Sequence, residues 1–125
     1  MFKTVLAVWI PAALLTLFPA YGNAGDAVEG EHIFRRCLVC HTIAAGQPNR
    51  LGPNLHGLFD REAGKATGFA YSDGLAKASF RWDDEKLDQW LANPQNFMPG
   101  ARMTFRLLDA DERADVIAYL HDAAK

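Results

Sequence analysis

Cys37-Leu38-Val39-Cys40-His41 is the run whose residue types and spacing point most directly to chemistry. These are the only two cysteines among 125 residues. Two thiols separated by two residues lie on one turn of helix. Each can add to one vinyl group of a haem, and the adjoining His41 is then delivered to the iron as an axial nitrogen ligand. Attachment and ligation thus come from one segment. Two other uses of the same atoms compete: a thioredoxin-type disulfide, and half of a zinc site completed from His32, His56 or His121. The first expects a βαβ context, and no strand pattern accompanies the motif. The second needs two further ligands, and the histidines show no paired spacing.

A haem iron held by His41 has a second axial position, which must be filled from a distant segment. Beyond the N-terminal region the methionines are Met98 and Met103, and by spacing alone either reaches the iron. Methionine is more often a core filler than a ligand. His56 is the rival, because imidazole binds iron well.

The elements that must hold these groups read as helices and loops. Asp26 with Glu29 forms a capping box opening a helix to about Cys40, with Ile33 and Phe34 as apolar surface. Gly30 inside it costs about 1 kcal/mol against alanine, which close approach of another helix explains. Gly30 and Phe34 share a face. From Thr42 to Phe69 the chain carries Gly46, Pro48, Gly52, Pro53, Gly57, Gly64 and Gly68 and has no sustained period. So long a loop in a small domain implies that it wraps something functional. Ser72 is placed to cap a short helix through Lys77. Asp83 to Asn93 carries Leu87, Trp90 and Leu91 at helical spacing before Pro94 stops it. After a second loop, Asp109 and Glu112 open a final helix with Val116, Tyr119 and Leu120 on its apolar stripe. The predicted class is all-α.

Composition and charge narrow the function. Half the residues are hydrophobic and 22% are charged, the make-up of an ordinary globular chain. Thirteen basic against fifteen acidic side chains leave no strongly basic surface for nucleic acid. Two cysteines exclude a disulfide-dense scaffold. At the N-terminus Lys3 precedes an apolar run from Val5 to Phe18, and Gly22 and Ala24 fit the small-residue positions of an export leader cut after Ala24. The alternative is a retained anchor, but about 14 apolar residues fall short of the roughly 20 that a spanning helix needs. Removing 24 of 125 residues leaves 101, with 12 basic and 15 acidic side chains. The expected organisation is a leader, 1–24, and one domain, 25–125, small enough for a cofactor to complete its core.

In their order these features resemble class I cytochrome c of the short mitochondrial and soluble bacterial type. The resemblance covers the whole of 25–125. It is carried by Gly30 and Phe34, Cys37 to His41, Gly52-Pro53-Asn54-Leu55-His56-Gly57, Gly68-Phe69-Ala70-Tyr71-Ser72, Trp82, Asn93-Pro94, Pro99 to Phe105 and Ile117-Ala118-Tyr119-Leu120. It implies an all-α wrap around one haem c bound through two thioethers, with the first and last helices crossing where Gly30 and Phe34 meet Val116 and Tyr119.

The resemblance also implies roles for particular residues. It assigns the second axial ligand to Met103, leaves Met98 as an apolar site and makes His56 a loop residue that does not ligate. The Pro53 carbonyl then accepts from the His41 ring nitrogen facing away from iron. Tyr71 and Trp82 become donors to a buried haem propionate, with Arg61 a cation close to it. Ala101 and Leu75 depart from the mitochondrial pattern, which has a threonine and an asparagine there. Arg36, Arg50 and Arg102 fall at family lysine positions, while Gln95 and Asn96 are neutral where a lysine pair would stand.

With both axial positions filled, the implied function is reversible one-electron transfer between Fe(II) and Fe(III), not enzymatic catalysis. The alternatives are a peroxidase or gas sensor with a dissociable methionine, and a membrane-tethered carrier. The expected partners are redox proteins docking at the haem edge: a donor dehydrogenase or quinol-oxidising complex and an acceptor oxidase or reductase. Nucleic acid and stable membrane insertion are not expected, and the carrier is expected to be a monomer. The leader places it outside the cytoplasm, with the bacterial periplasm as the expected compartment.

Overall fold

A computed structural model of the chain describes Met1 and residues 24–125. The expected leader therefore lies outside the described residues except for its two ends. Among the described residues there are five α-helices and no strand: α1 (Ala27–Phe34), α2 (Asp73–Ala76), α3 (Asp84–Ala92), α4 (Pro94–Phe97) and α5 (Ala110–Ala123). A single isolated bridge joins Glu62 to Arg81. No helix among these residues is long and apolar enough to cross a membrane.

The frame is the crossing of α1 and α5. Asp26 caps α1 by accepting from the Val28 and Glu29 amides, and Asp109 caps α5 through Asp111 and Glu112. Each cap satisfies amides that the first turn leaves without partners. Glu112 pairs with Arg36 across the crossing at 2.7 Å. The Asp26 amide donates to Asp115 at 2.7 Å, and the Phe34 and Tyr119 rings lie 5.2 Å apart. Gly30 makes the closeness possible, since a Cβ there would fall 2.0 Å from the Asp115 carbonyl oxygen.

Three expectations need correcting in detail. First, α1 ends at Phe34 instead of running to Cys40. The Arg36 amide bonds back three residues to Ile33, and a 3-10 turn over Cys37–Val39 follows. Second, Ser72 stands at the start of α2, but its hydroxyl makes no capping bond. Third, Pro94 ends α3 yet also opens α4, because Asn93 caps the new helix through the Asn96 amide and proline suits the first helical position. The 42–69 segment is irregular, as its composition predicts, and is joined to the C-terminal end of the domain. The Gly57 amide donates to the Ala124 carbonyl at 2.7 Å. The buried core runs through Phe34, Leu58, Leu87, Trp90, Leu91, Leu107, Val116, Ile117 and Leu120.

Candidate functional site

The Cys37–Val39 turn presents Cys37, Cys40 and His41 at the edge of the core, all three half-buried. The Cys40 and His41 amides both return to the Cys37 carbonyl, at 3.0 and 2.9 Å, and this fixes the turn. Both thiols are free. Burial pushes the Cys37 thiol up to about 11, against the opposing influence of the Arg36 charge.

The neighbouring loop positions His41. The Gly52 amide donates to Cys40 O and the Leu55 amide to Thr42 O, each at 2.8 Å. This zips 52–55 along 40–42 and presents the Pro53 carbonyl to His41 Nδ1 at 2.8 Å. Gly52 is required beside the ring, because a Cβ there would lie 2.3 Å from His41 Cε1. Burial lowers the His41 pKa below the usual imidazole value, and the Pro53 bond opposes this only in part. The ring is therefore neutral near pH 7. With the Nδ1–H given to Pro53, the lone pair stands on Nε2, the form that ligates a metal.

The two methionines differ in what their sulfurs meet. Met98 Sδ packs on Gly74, where a Cβ would lie 2.7 Å from it. Met103 Sδ instead accepts the indole N–H of Trp90 at 3.2 Å, and Gln95 Nε2 donates to the Met103 carbonyl at 2.6 Å. The chain returns to Met103 through the Met98–Ala101 turn, closed by the Ala101 amide on Met98 O at 3.1 Å. Gly100 there has φ +86°, a left-handed conformation that favours glycine.

Arg61 donates to the carbonyls of His56 and of Asn54, the latter at 2.8 Å. It makes no carboxylate pair among the described residues, so its charge is uncancelled. The Tyr71 oxygen accepts the Ala66 amide at 3.0 Å, which leaves its O–H proton to donate elsewhere. Trp82 stacks near Phe97 and meets Phe80 and Trp90 edge-on. His56 contributes its carbonyl to Arg61, and His121 lies 2.6 Å from Asp84 and stacks on Phe59. Among the described residues no group of three or more His, Cys, Asp or Glu side chains gathers as a metal site.

Three residues matter here that sequence reasoning did not single out for the site: Ser72, Trp90 and Gly52. Ser72 is 7% exposed, and its buried hydroxyl has no hydrogen-bond partner among the described residues. A buried orphan hydroxyl is costly unless a polar group of a bound molecule meets it. Together with the uncancelled Arg61 charge and the free Tyr71 proton, it fits a carboxylate-bearing ligand such as haem. The neutral His41 ring and the Met103 thioether are donors suited to haem iron.

An all-α frame that places a C-x-x-C-H turn beside such a group of donors defines a c-type haem protein. Comparison with known proteins specifies which. The cytochrome c family model matches residues 27–124. Cytochrome c of Kluyveromyces lactis is 40% identical over 109 residues, covering 86% of this chain and 99% of the relative. Cytochrome c of Chlamydomonas reinhardtii is 46% identical over 106 residues, covering 83% and 95%, and that of Stellaria longipes 42% over 103 residues, covering 81% and 95%. The chain belongs to the cytochrome c family. It is a haem c electron carrier that works with redox partners, and one covalently bound haem c is its cofactor. The same relatives overturn one expectation: they come from a yeast, a green alga and a flowering plant, so the bacterial periplasm is not where the comparisons point.

Proposed function

We propose that the chain is a soluble carrier passing single electrons between membrane-bound complexes of a respiratory chain, with its haem held by Cys37, Cys40, His41 and Met103. The observation that carries this reading is the pairing of a neutral His41, oriented by Pro53 at 2.8 Å, with a thioether held by Trp90 at 3.2 Å. When bound, haem supplies the one-electron Fe(II)/Fe(III) couple, and two protein ligands leave no open position for a substrate. Tyr71, Ser72, Trp82 and Arg61 receive its carboxylates, which keeps them ionised away from bulk water.

The working domain is 25–125, freed by a cut after Ala24. Gly25 supports that boundary, since a Cβ there would lie 2.0 Å from Ala114 O, so this residue is already closely packed on α5. Intact mass of the purified protein tests attachment and boundary together. The expected result is a chain starting at Gly25 plus one haem, with the haem retained after acid-acetone extraction. Extractable haem sinks the thioether reading, and a full-length mass sinks the boundary.

Docking follows from the face around the C-x-x-C-H turn. Of the three arginines expected there, Arg36 is paired with Glu112, whereas Arg50 and Arg102 donate to the carbonyls of Leu38 and Ala70 and keep their charge. Leu38, Val39 and Leu51 are exposed large apolar residues on the same stretches of chain. Partner association is therefore steered by a small positive charge and held by a sizeable apolar contact. Electron-transfer rates with a partner complex are expected to fall moderately as salt is raised. A rise with salt would mean that the overall negative charge governs the approach.

A further inference from the structure

Leaving aside Met1, the exposed large apolar side chains among the described residues are Val28, Leu38, Val39, Leu51 and Leu108. Apolar residues scattered singly over a surface are ordinary and carry no message. Leu38, Val39 and Leu51 are not scattered. The first two lie on the Cys37–Val39 turn, and Leu51 stands on the bend that follows Arg50. Two bonds join that bend to the segment carrying the cysteines: Arg50 Nη1 donates to the Leu38 carbonyl at 2.7 Å, and the Gly52 amide donates to the Cys40 carbonyl at 2.8 Å. The Arg50 amide closes the bend itself on Gly52 O at 2.9 Å. Leu51 is nonetheless 83% exposed and Val39 67%. Leu51 therefore owes its place to backbone bonds and not to packing of its own side chain. That place is also registered to His41, because the next residue, Gly52, lies where a Cβ would fall 2.3 Å from the ring carbon Cε1.

We propose that Leu51 is the anchor that determines which redox complexes this chain docks on. It enters an apolar socket on the partner, Val39 and Leu38 cover the rim, and Arg50 pairs with a carboxylate beside the socket. The proposal rests on the reading of the chain as a carrier between membrane-bound complexes. Charge complementarity names the partner's chemistry. Arg50 spends one N–H on the Leu38 carbonyl, and its other donors and its charge remain exposed next to the anchor. It makes no ion pair among the described residues, and a guanidinium so placed favours a carboxylate bound through two donors. Because the bend is already fixed, docking has little chain to order, so less of the contact energy is lost. A partner that grips Leu51 holds a point one residue from the seat of His41, which sets distance and orientation for electron transfer. Long-range charge governs the rate of encounter, whereas a buried anchor governs residence and the choice of partner.

The test is oxidation of the reduced, haem-loaded protein by respiratory membranes washed free of their own carrier. Leu51→Ser is expected to raise KM about tenfold, the scale of returning one leucine side chain to water. Its kcat, midpoint potential and far-red band should stay as in the parent, the pattern of lost binding without lost chemistry. The tenfold factor should persist at about 0.3 M salt, where exposed charges are largely screened. Leu51→Met, apolar and of similar volume, should stay within about twofold of the parent. Arg50→Gln, which keeps a donor for the Leu38 carbonyl, should raise KM at low salt only. Leu108→Ser removes a leucine of equal exposure, 82%, from another stretch of chain and should change nothing. The proposal is overturned if Leu51→Met is as poor as Leu51→Ser, or if Leu108→Ser is equally poor. It is also overturned if the parent sediments as a dimer that Leu51→Ser dissolves, or binds protein-free vesicles of the membrane lipids only while Leu51 is present; the patch would then belong to a second copy or to lipid. If the membranes do not oxidise the parent at all, the carrier reading falls and this proposal with it. If they oxidise the parent and Leu51→Ser with the same KM, this proposal alone fails.

Discussion

Met103→Ala is expected to remove the far-red sulfur–iron band of the oxidised haem protein and to make the reduced protein bind carbon monoxide stoichiometrically at neutral pH. Met98→Ala is expected to leave both properties nearly unchanged. The two residues are five apart and both half-buried, so position alone does not separate them. Their sulfurs do. Met98 Sδ rests on Gly74 as ordinary packing, whereas Met103 Sδ is fixed by the Trp90 N–H and its own carbonyl by Gln95. A ligand must be held where the metal will be, and only Met103 is held at both ends. Truncating it also strands the buried Trp90 N–H, at a cost of about 1–3 kcal/mol. Met98→Ala should cost stability too, through lost core volume, while the spectrum persists. Absorption spectra, carbon monoxide titration and urea unfolding of the three haem-loaded proteins give the comparison. A far-red band that survives in Met103→Ala and vanishes in Met98→Ala would reverse the assignment.

The helices were legible because their ends are chemically marked. Asp26 and Asp109 announce the starts of α1 and α5, and Asp83 that of α3; each accepts first-turn amides. Gly30 inside a helix pointed to a close crossing, and the crossing partner is the Asp115 backbone. What was not legible depends on contacts between distant residues. Periodicity places Trp90 on an apolar stripe with Leu87 and Leu91, and nothing in that stripe reveals that its N–H reaches a sulfur 13 residues on. Ser72 has the type and position of a cap, yet it is buried and its hydroxyl makes no bond to α2. Glu112 completes a capping box by sequence, but its carboxylate binds Arg36 on the other helix. α4 was hidden because proline reads as a stop, and the same residue after Asn93 is also a start. Of the site, Cys37, Cys40 and His41 stood out by spacing, while the choice of Met103 needed the family resemblance.

Gly30→Ala is expected to damage the frame more than an exposed substitution on the same helix. The added Cβ would stand 2.0 Å from Asp115 O, 2.6 Å from Asp115 C and 2.8 Å from Tyr119 Cβ. The first two are backbone atoms, which cannot rotate aside as a side chain would, so α1 and α5 must part by about 1 Å or more to restore ordinary contact. Three links resist that parting: the Asp26 amide on Asp115, the Phe34–Tyr119 ring contact and the Arg36–Glu112 pair. Alanine gains about 1 kcal/mol of helix propensity over glycine. Overpacking costs about 1–3 kcal/mol where side chains can adjust and more where backbone must move, so the steric loss prevails. A net loss of about 2 kcal/mol in urea unfolding of the haem-loaded protein is expected, against changes within about 0.5 kcal/mol for Glu29→Ala on the exposed side of α1. The damage should extend to the haem. The chain passes from Phe34 through Arg35 and Arg36 directly into the turn that carries Cys37, Cys40 and His41. A displaced α1 therefore pulls His41 against the Pro53 and Gly52 seat that orients it, and the far-red band should weaken at denaturant concentrations where the parent protein keeps it. A Gly30→Ala protein as stable as Glu29→Ala would show that the helices do not cross as closely as the 2.0 Å approach requires.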